Sequence, residues 1–476
     1  MNSNWKMQMY WRLPLRIQES IVSYHAARLE KINFGPGFEE WRQRVESWMT
    51  RTPLDAEAWE REQLQYIIRR AATEVPFYRS NWKGVEWREI RSWKDLARLP
   101  LLDKQSLRQN EEQFLVEGVD RKSLWMERTS GTTGTALSIF RPLTMQPKWW
   151  AVYEVCRHMA GVGRQVPHAR LAGQSIVAGS TRRPPYWRFN RRWGNLYMSS
   201  YHISRETAPS YIAAMRQYGV QWLEGYGSAF AALAECAIEA GLPPVPLKAA
   251  IASGDTLLPG MRKVIESYFQ CKCFDHYGQS EGVAMAMECT HGRMHVIPSS
   301  GIIEIVRSDG TPCEPGEVGE VIATSLLNDA MPLVRYRIGD YASWASDPHC
   351  PCGSYTPILG DLEGRVDDYL VTADGRRIGR LSTAVKRSPT IHSAQIVQDK
   401  PGHAYLLVRP SDGYQRPHAE DVRADILERI GRFDLDIIEV ETIPLTPNGK
   451  TALVLRIHDK PQLWGIYQPL LLNRMG

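Results

Sequence analysis

The 476-residue sequence predicts an α/β protein. Residues 1–365 are expected to form a large domain of parallel sheets with helices and a β subdomain. Residues 366–476 are expected to form a small, mobile α+β domain. Three observations predict this. Helical and short apolar segments alternate from Leu137 to Ala286. From 295 to 345 the pattern changes to short β runs broken by Gly, Asp and Pro. Beyond "GRVDDYLV" (364–371) a separate series of strand and helix signals begins. Repeated strand–helix alternation points to a parallel sheet covered by helices, whereas short runs between turn residues point to antiparallel pairing.

In chain order, residues 1–90 read as helical. "AWEREQLQYIIRRAATEVPFYRS" carries apolar residues at helical spacing, and Pro76 should stop it. "PSYIAAMRQYGV" (209–220) reads as a helix leading into the strand "QWLEGYG". "FAALAECAIEAGLPP" (230–244) is a helix with Gly241 past its end and prolines beyond. "LKAAIASGD" is a buried strand entering a turn, "PGMRKVIESYF" a helix, and "KCFDHYG" a strand ending in a loop. In such sheets a ligand lies beyond the carboxyl ends of the strands. Three loops fall there: 225–228, 253–256 and 277–282. "GIIEIVRSDG" and "GEVGEVIATSL" then supply the β subdomain. "AYLLVRP", "AEDVRADILERIGR" and "DIIEVETIP" supply the terminal domain.

Composition narrows the class. The net charge is +5, from 58 basic and 53 acidic residues. That is mild for this length, and no nucleic-acid-binding signature accompanies it. Eight cysteines are too few for a disulfide scaffold. The N-terminus lacks an apolar signal-peptide core, and no run reaches the roughly 18 apolar residues of a membrane span. These features point to a cytoplasmic protein. Residues 5–30 are basic, aromatic and roughly amphipathic, a pattern open to packing on the main domain or to contact with a membrane surface.

Four segments carry chemistry. Thr129–Thr135 place five hydroxyl residues and two glycines in seven positions. Backbone N–H and hydroxyl groups in a tight curve can hold phosphate oxygens. A plain surface turn has the same composition, and the loop lacks the lysine of a Walker A motif. In "DHYGQSEG" (275–282) Tyr277 and Gly278 end a strand, and Glu281 in the next loop can hold Mg²⁺ or stand as an exposed acid. "VRYRIGDYA" (334–342) sets Asp340 after a glycine turn, where a carboxylate can accept from two ribose hydroxyls. "IPLTPNGKTAL" (443–453) sets Lys450 on a turn near the chain end; a lone turn lysine is more often simply solvated.

Taken in order, "SGTTGTAL", "SGDTL", "YGQSEG", "MPLVRYRIGDYA", "CPCG", "LEGRVDDYL" and the Lys450 turn resemble the adenylate-forming superfamily, and within it the phenylacetate–CoA ligase family. "YWRFNRRWGNLYMSSYHIS" and "WLEGYGSAFAALAE" resemble its capsular-polysaccharide, CapK-like branch. The resemblance spans residues 60 to 455. It implies a carboxylic acid reacting with ATP and Mg²⁺ to give an acyl-adenylate, followed by acyl transfer to an acceptor, often the thiol of CoA.

The resemblance also implies roles. Thr129, Ser130, Gly131, Thr132, Thr133 and Gly134 would hold the β- and γ-phosphates. Ser280 would contact the α-phosphate and Glu281 would coordinate Mg²⁺. Ser253, Gly254, Asp255, Tyr277 and Gly278 would line the nucleotide pocket. Asp340 would bind the ribose with Arg365 assisting. Lys450 would bridge the substrate carboxylate and the α-phosphate. Asp367 would be the hinge about which the small domain turns between half-reactions. Two departures stand out. Thr135 replaces a residue that is basic in many relatives. "TADGRRIGRLSTAVKRSPTIHSAQIVQ" replaces the "GxNxxP"-like run that shapes the acceptor face, so an amine or sugar acceptor competes with CoA.

Cys289, His295, Cys350 and Cys352 form a further constellation. The C-x-C pair favours a soft metal over an internal disulfide. Some phenylacetate-ligase relatives carry zinc on this arrangement, and a closed Cys₃His site would be structural. His291 and His349 are rival ligands, and a set of free, partly buried cysteines is the plain alternative. Substrate-pocket candidates are Tyr226, Gly227, Ser228, Tyr201 and His202, with Trp149, Trp150 and Ala284 nearby in sequence. The expected activity is therefore an AMP-forming acid–thiol ligase. The alternatives are acyl transfer to an amine or sugar in polysaccharide assembly, and a catalytically silent nucleotide-binding scaffold. The identity of the acid and the oligomeric state have no local signature.

Overall fold

Four strands, His168–Ala172, Asn195–Ser199, Trp222–Gly225 and Ala249–Ser253, pair in parallel, as the alternation of helical and apolar segments requires. In the computed structural model the described residues are 4–128, 137–174, 176–365, 369–378, 381, 384–385, 388, 390–411, 413–444, 452–459 and 463–472. The chain divides into two units, each gathered from separated stretches. The first comprises Met1–Ser20, Val166–Cys273 and Glu363–Gly476; the second comprises Ile21–Gln165 and Phe274–Leu362.

Within the first unit the sheet runs Ala249–Ser253, Trp222–Gly225, His168–Ala172, Asn195–Ser199, then Trp187–Asn190 as an antiparallel edge. Every residue of Trp222–Gly225 is buried. Helices cover parallel strands on both faces, so such strands are apolar throughout instead of alternating. The helices are Ala208–Gln217, Gly227–Glu239 and Pro259–Phe269. Gly241 follows the second of them at φ 68°, the left-handed geometry that ends many helices.

The C-terminal stretch forms a four-stranded sheet in the order Asp434–Glu439, His403–Pro410, Ile391–Lys400, Val454–Arg456, with the helix Arg416–Ile430. Its apolar side shares one core with the helices of this unit: Phe230, Ile265 and Phe269 pack in the same cluster as Ile396, Leu406 and Ile426. The approach is close enough to exclude a side chain. A Cβ on Gly260 would lie 2.6 Å from both the His392 Cα and the Ile391 carbonyl oxygen. Beside it Glu235, on the helix Gly227–Glu239, lies 2.9 Å from His392 Nε2 and is also paired with Arg409.

The second unit opens with helices that include Phe38–Thr50, Pro53–Glu74 and Pro76–Asn81. Pro76 does mark a helix end, and it also begins the next helix. Val75 between them is extended, which the proline imposes on its predecessor, and Pro76 occupies the first turn, where no backbone donor is needed. The antiparallel sheet runs Ile302–Val306, Val318–Thr324, Tyr336–Trp344, Ile358–Arg365, Met294–Val296, Met285–Glu288, Lys272–Gly278. Its core gathers Leu64, Ile67, Tyr78, Phe114 and Tyr336. Among the described residues no helix is long and apolar enough to cross a membrane.

Candidate functional site

In the second unit the strands Leu124–Arg128 and Ser138–Pro142 pair antiparallel, with Arg128 opposite Ser138. The hydroxyl-rich loop Thr129–Gly134 joins them in sequence and lies outside the described residues, as does Thr135. Its exit is fixed: the Ser138 amide donates to Glu111 Oε1 at 2.9 Å. Three residues on, the buried Arg141 donates to the Ser280 carbonyl oxygen. That bond ties the strand leaving the loop to the segment holding Ser280 and Glu281. Burial pushes the Arg141 guanidinium below its ordinary range, and Glu127 and Glu281 act against that shift. Gly282 sits at φ 67°, and a Cβ there would fall 2.8 Å from an Arg141 nitrogen, so this bend accepts only glycine.

Glu281 is 6% exposed. Its Oε1 accepts from the Tyr336 hydroxyl at 3.1 Å and lies 3.2 Å from Lys104 Nζ. A carboxylate this buried needs partners to stay charged, and it has a cation and a hydroxyl. One carboxylate is also what a Mg²⁺ ion needs when phosphates and water complete its shell, so Glu281 fits that role, with Lys104 sharing the oxygen. Tyr277 ends the strand Lys272–Gly278, and its hydroxyl donates to Asp340 Oδ2 at 2.9 Å on the strand Tyr336–Trp344. Gly278 closes the first of these strands. The backbone of Arg365 ends the strand Ile358–Arg365. The Arg365 side chain, Asp367 and Lys450 lie outside the described residues. Arg141 and Lys104 have no motif of their own, and Tyr336 stands in "VRYRIGDYA" without a role read from it; the fold brings all three to Ser280 and Glu281.

The first unit gathers Ser253, Gly254 and Asp255 with Tyr226, Gly227 and Ser228. Asp255 accepts from the Gly227 amide at 2.9 Å, from the Ser228 amide at 3.2 Å and from the Ser228 hydroxyl. It thus caps the helix Gly227–Glu239 from the neighbouring strand end, where a carboxylate complements the exposed donors. Gly225 sits at φ 141°, and a Cβ there would collide with the Leu171 carbonyl oxygen at 1.9 Å. This is the bend that turns the strand into the helix.

Tyr201 donates to the Gly173 carbonyl oxygen at 3.1 Å. Burial raises both the Tyr201 and Tyr226 hydroxyls above their ordinary range. His202 is held at both nitrogens, by the Ser199 hydroxyl at 2.8 Å and the Ala178 carbonyl oxygen at 3.1 Å, and it stacks on Tyr186. It staples its loop as well as lying among the pocket candidates. Arg170 and the buried Glu224 pair at 3.2 Å near the same strand ends, an ion pair inside a run that reads as apolar. In the second unit Trp149 lies under the Arg141 guanidinium, Trp150 packs edge-on against Phe34, and Ala284 is core.

The cysteine constellation assembles. The ligand atoms of Cys289, His295, Cys350 and Cys352 all lie within 4.8 Å of one another. Cys289 Sγ is 3.6 Å from Cys350 Sγ, and Cys352 Sγ is 3.3 Å from His295 Nε2. A tetrahedral zinc with Zn–S bonds of about 2.3 Å would space two sulfurs by about 3.8 Å. His295 turns its other nitrogen to the Thr356 hydroxyl at 3.1 Å, the kind of partner that fixes the ring of a metal-binding histidine. The four residues therefore fit a closed zinc site. His291 meets Cys289 through its backbone amide, and neither its ring nor that of His349 belongs to the cluster.

Comparison with known proteins adds four findings. Residues 370–457 match the family model described as the CapK C-terminal domain. Over 372 residues the chain is 23% identical to Protein CapK of Staphylococcus aureus, covering 76% of this chain and 80% of that one. Over 426 residues it is 26% identical to the phenylacetate-coenzyme A ligase of Thermus thermophilus, covering 83% and 93%. Its fold is similar to that of a 2-hydroxyisobutyryl-CoA ligase in the postadenylation state, in complex with R3-HIB-AMP. The TM-score is 0.65 at 18% identity, over 90% of this chain and 94% of that one.

Proposed function

We propose that the chain is a phenylacetate–CoA-ligase-like member of the adenylate-forming superfamily, on its CapK-like branch, and that it activates a carboxylic acid with ATP and passes the acyl group to an acceptor. A carboxylate is a poor electrophile. In the first step its oxygen attacks the α-phosphorus, forms the C–O–P anhydride and displaces pyrophosphate. Thr129–Gly134 grip the departing phosphates and Ser280 steadies the α-phosphate. Tyr277 and Ser253–Asp255 border the base, and Asp340, with Arg365, holds the ribose. Lys450 offsets the charge gathering as two anions meet. Mg²⁺ on Glu281 would screen the phosphate oxygens and orient them.

The observation that carries this reading is the Glu281 carboxylate: buried, held by Tyr336 beside Lys104, and linked through the Ser280 carbonyl oxygen and Arg141 to the strand that leaves the phosphate loop. Purified protein is expected to exchange labelled pyrophosphate into ATP when given its acid. ATP binding with no exchange across a broad acid panel would instead make it a scaffold.

In the second step the acyl carbon is attacked by the acceptor and AMP leaves. A CoA-like thiol is the first reading. An amine or sugar acceptor is the second. It is favoured by the match of residues 370–457 to the CapK C-terminal domain and by the departure from the acceptor-face run after Asp367. Product masses with and without CoA separate the two. Between the steps the small domain turns about Asp367 and withdraws Lys450, which requires the Glu235 contacts to His392 and Arg409 to open. Zinc on Cys289, His295, Cys350 and Cys352 serves structure, pinning the β subdomain.

A further inference from the structure

Two helices near the N-terminus, Asn4–Arg12 and Leu15–Asn33, depart from the pattern of an ordinary surface helix at several positions. Such helices bury an apolar stripe and show polar residues to water. Here the side facing the protein includes Gln18 and Glu19. Arg188 Nε donates to Gln18 Oε1 at 2.7 Å, and the Phe189 amide donates to Glu19 Oε1 at 3.2 Å. Gln18 also donates to the Leu13 carbonyl oxygen at 2.7 Å, fixing the junction between the two helices. The outward side carries apolar residues among its polar ones. Trp5, Met9 and Arg12 follow one another at i, i+4 and i+7. Ile17, Ile21, Tyr24 and Arg28 repeat the spacing at i, i+4, i+7 and i+11, and all seven side chains are exposed, Tyr24 by 77%. Six of the fourteen exposed large apolar side chains among the described residues fall between Trp5 and Tyr24.

The charge around these stripes is predominantly positive. Lys6, Arg12, Arg16, Arg28 and Lys31 are exposed, and over the same span the acids are Glu19, which is turned inward, and the partly buried Glu30. A protein partner with an apolar face alone would not call for five cations rimming the contact. A lipid surface with anionic headgroups asks for both features: apolar side chains to enter the acyl boundary and cations to meet phosphates. Tryptophan and tyrosine are also the residues that prefer that boundary.

We propose that the stripes Trp5–Met9 and Ile17–Ile21–Tyr24, rimmed by Lys6, Arg12, Arg16 and Arg28, form a peripheral docking surface for an anionic lipid bilayer. The contact is in the plane of the surface, since neither helix can span it. Because Gln18 and Glu19 anchor the helices from beneath, the surface is part of the folded protein.

The test uses the full chain in flotation assays with vesicles of phosphatidylcholine alone and of phosphatidylcholine with phosphatidylglycerol. Partitioning onto the anionic vesicles should exceed that onto neutral ones at least tenfold and fall as salt rises. It should drop at least tenfold for Ile17→Ser with Ile21→Ser, and likewise for Arg12→Glu with Arg16→Glu. All four positions are exposed, and circular dichroism and thermal unfolding should match the parent. No binding, equal binding to both vesicles, or binding unchanged in either variant would overturn the proposal. So would concentration-dependent self-association in sedimentation velocity that Ile17→Ser with Ile21→Ser abolishes, which would make the same stripe a contact between copies.

Discussion

Tyr277 donates to Asp340 across a gap of 63 residues, at 2.9 Å. The bond aims one carboxylate oxygen of Asp340. Asp340→Ala should weaken ATP binding by about 10- to 100-fold, since hydrogen bonds to a charged group contribute about 1.5–3 kcal/mol. Tyr277→Phe, which removes only the aiming bond, should cost less. Calorimetric titration with a non-hydrolysable ATP analogue measures both.

Glu281 faces Lys104 at 3.2 Å, so a Mg²⁺ ion held there would compete with the lysine for one oxygen. Glu281→Gln should reduce pyrophosphate exchange at least about 100-fold. Lys104→Met should lower the Mg²⁺ concentration needed for half-maximal exchange. An unchanged or raised requirement would mean that Glu281 does not meet the metal.

Glu60 gives the protein a pH dependence. Its carboxyl is buried, and burial pushes it up to about 7, with only the Ser299 amide, at 3.0 Å, favouring the charged form. Above the unfolded value the denatured chain has lost this proton while the folded chain keeps it. Stability therefore falls as pH rises through the interval from 4.5 to about 7. The loss is on the order of 3 kcal/mol. Urea unfolding at pH 5 and pH 8 should show it, and Glu60→Gln should flatten the difference.

The Cys₃His cluster should hold one zinc per chain, read by metal analysis of the purified protein. Cys350→Ser with Cys352→Ser should remove the metal and lower Tm by roughly 2–4 °C, a loss of a few kcal/mol in a chain of this size. Pyrophosphate exchange by the zinc-free protein at a temperature below its new Tm should persist, because a closed site does no chemistry.

Glu235 pairs with both His392 and Arg409. Glu235→Ala leaves the buried His392 ring and the half-buried Arg409 without that carboxylate, a change that costs on the order of 1–2 kcal/mol. Hydrogen exchange across residues 391–410 should rise at the face towards the helix Gly227–Glu239. If that helix is not part of the docking, exchange there will stay at the parent rate.

How much of this was legible beforehand depended on range. The parallel strands were readable where burial on both faces makes them apolar, as in residues 249–252. The Cys₃His cluster was readable because Cys350 and Cys352 carry a metal spacing within three positions; His295 was already the favoured histidine, and the fold leaves the rival rings of His291 and His349 outside the cluster. Lys104 and Arg141 were invisible: they reach Glu281 and Ser280 across more than a hundred residues, and each is locally an ordinary surface cation. Asp255 looked like a pocket residue, yet its carboxylate also caps a helix that begins before it in sequence. The division into units drawn from alternating stretches has no local signature at all, because periodicity reports how a segment folds and not which distant segment it joins.

Gly260 leaves no room for a methyl group against the backbone of Ile391 and His392. A glycine codon becomes an alanine or valine codon by one base change. The docked arrangement of the C-terminal sheet is thus a single mutation away from being lost. Drift at this one position would undo the docking in a lineage before any other residue at that contact was altered.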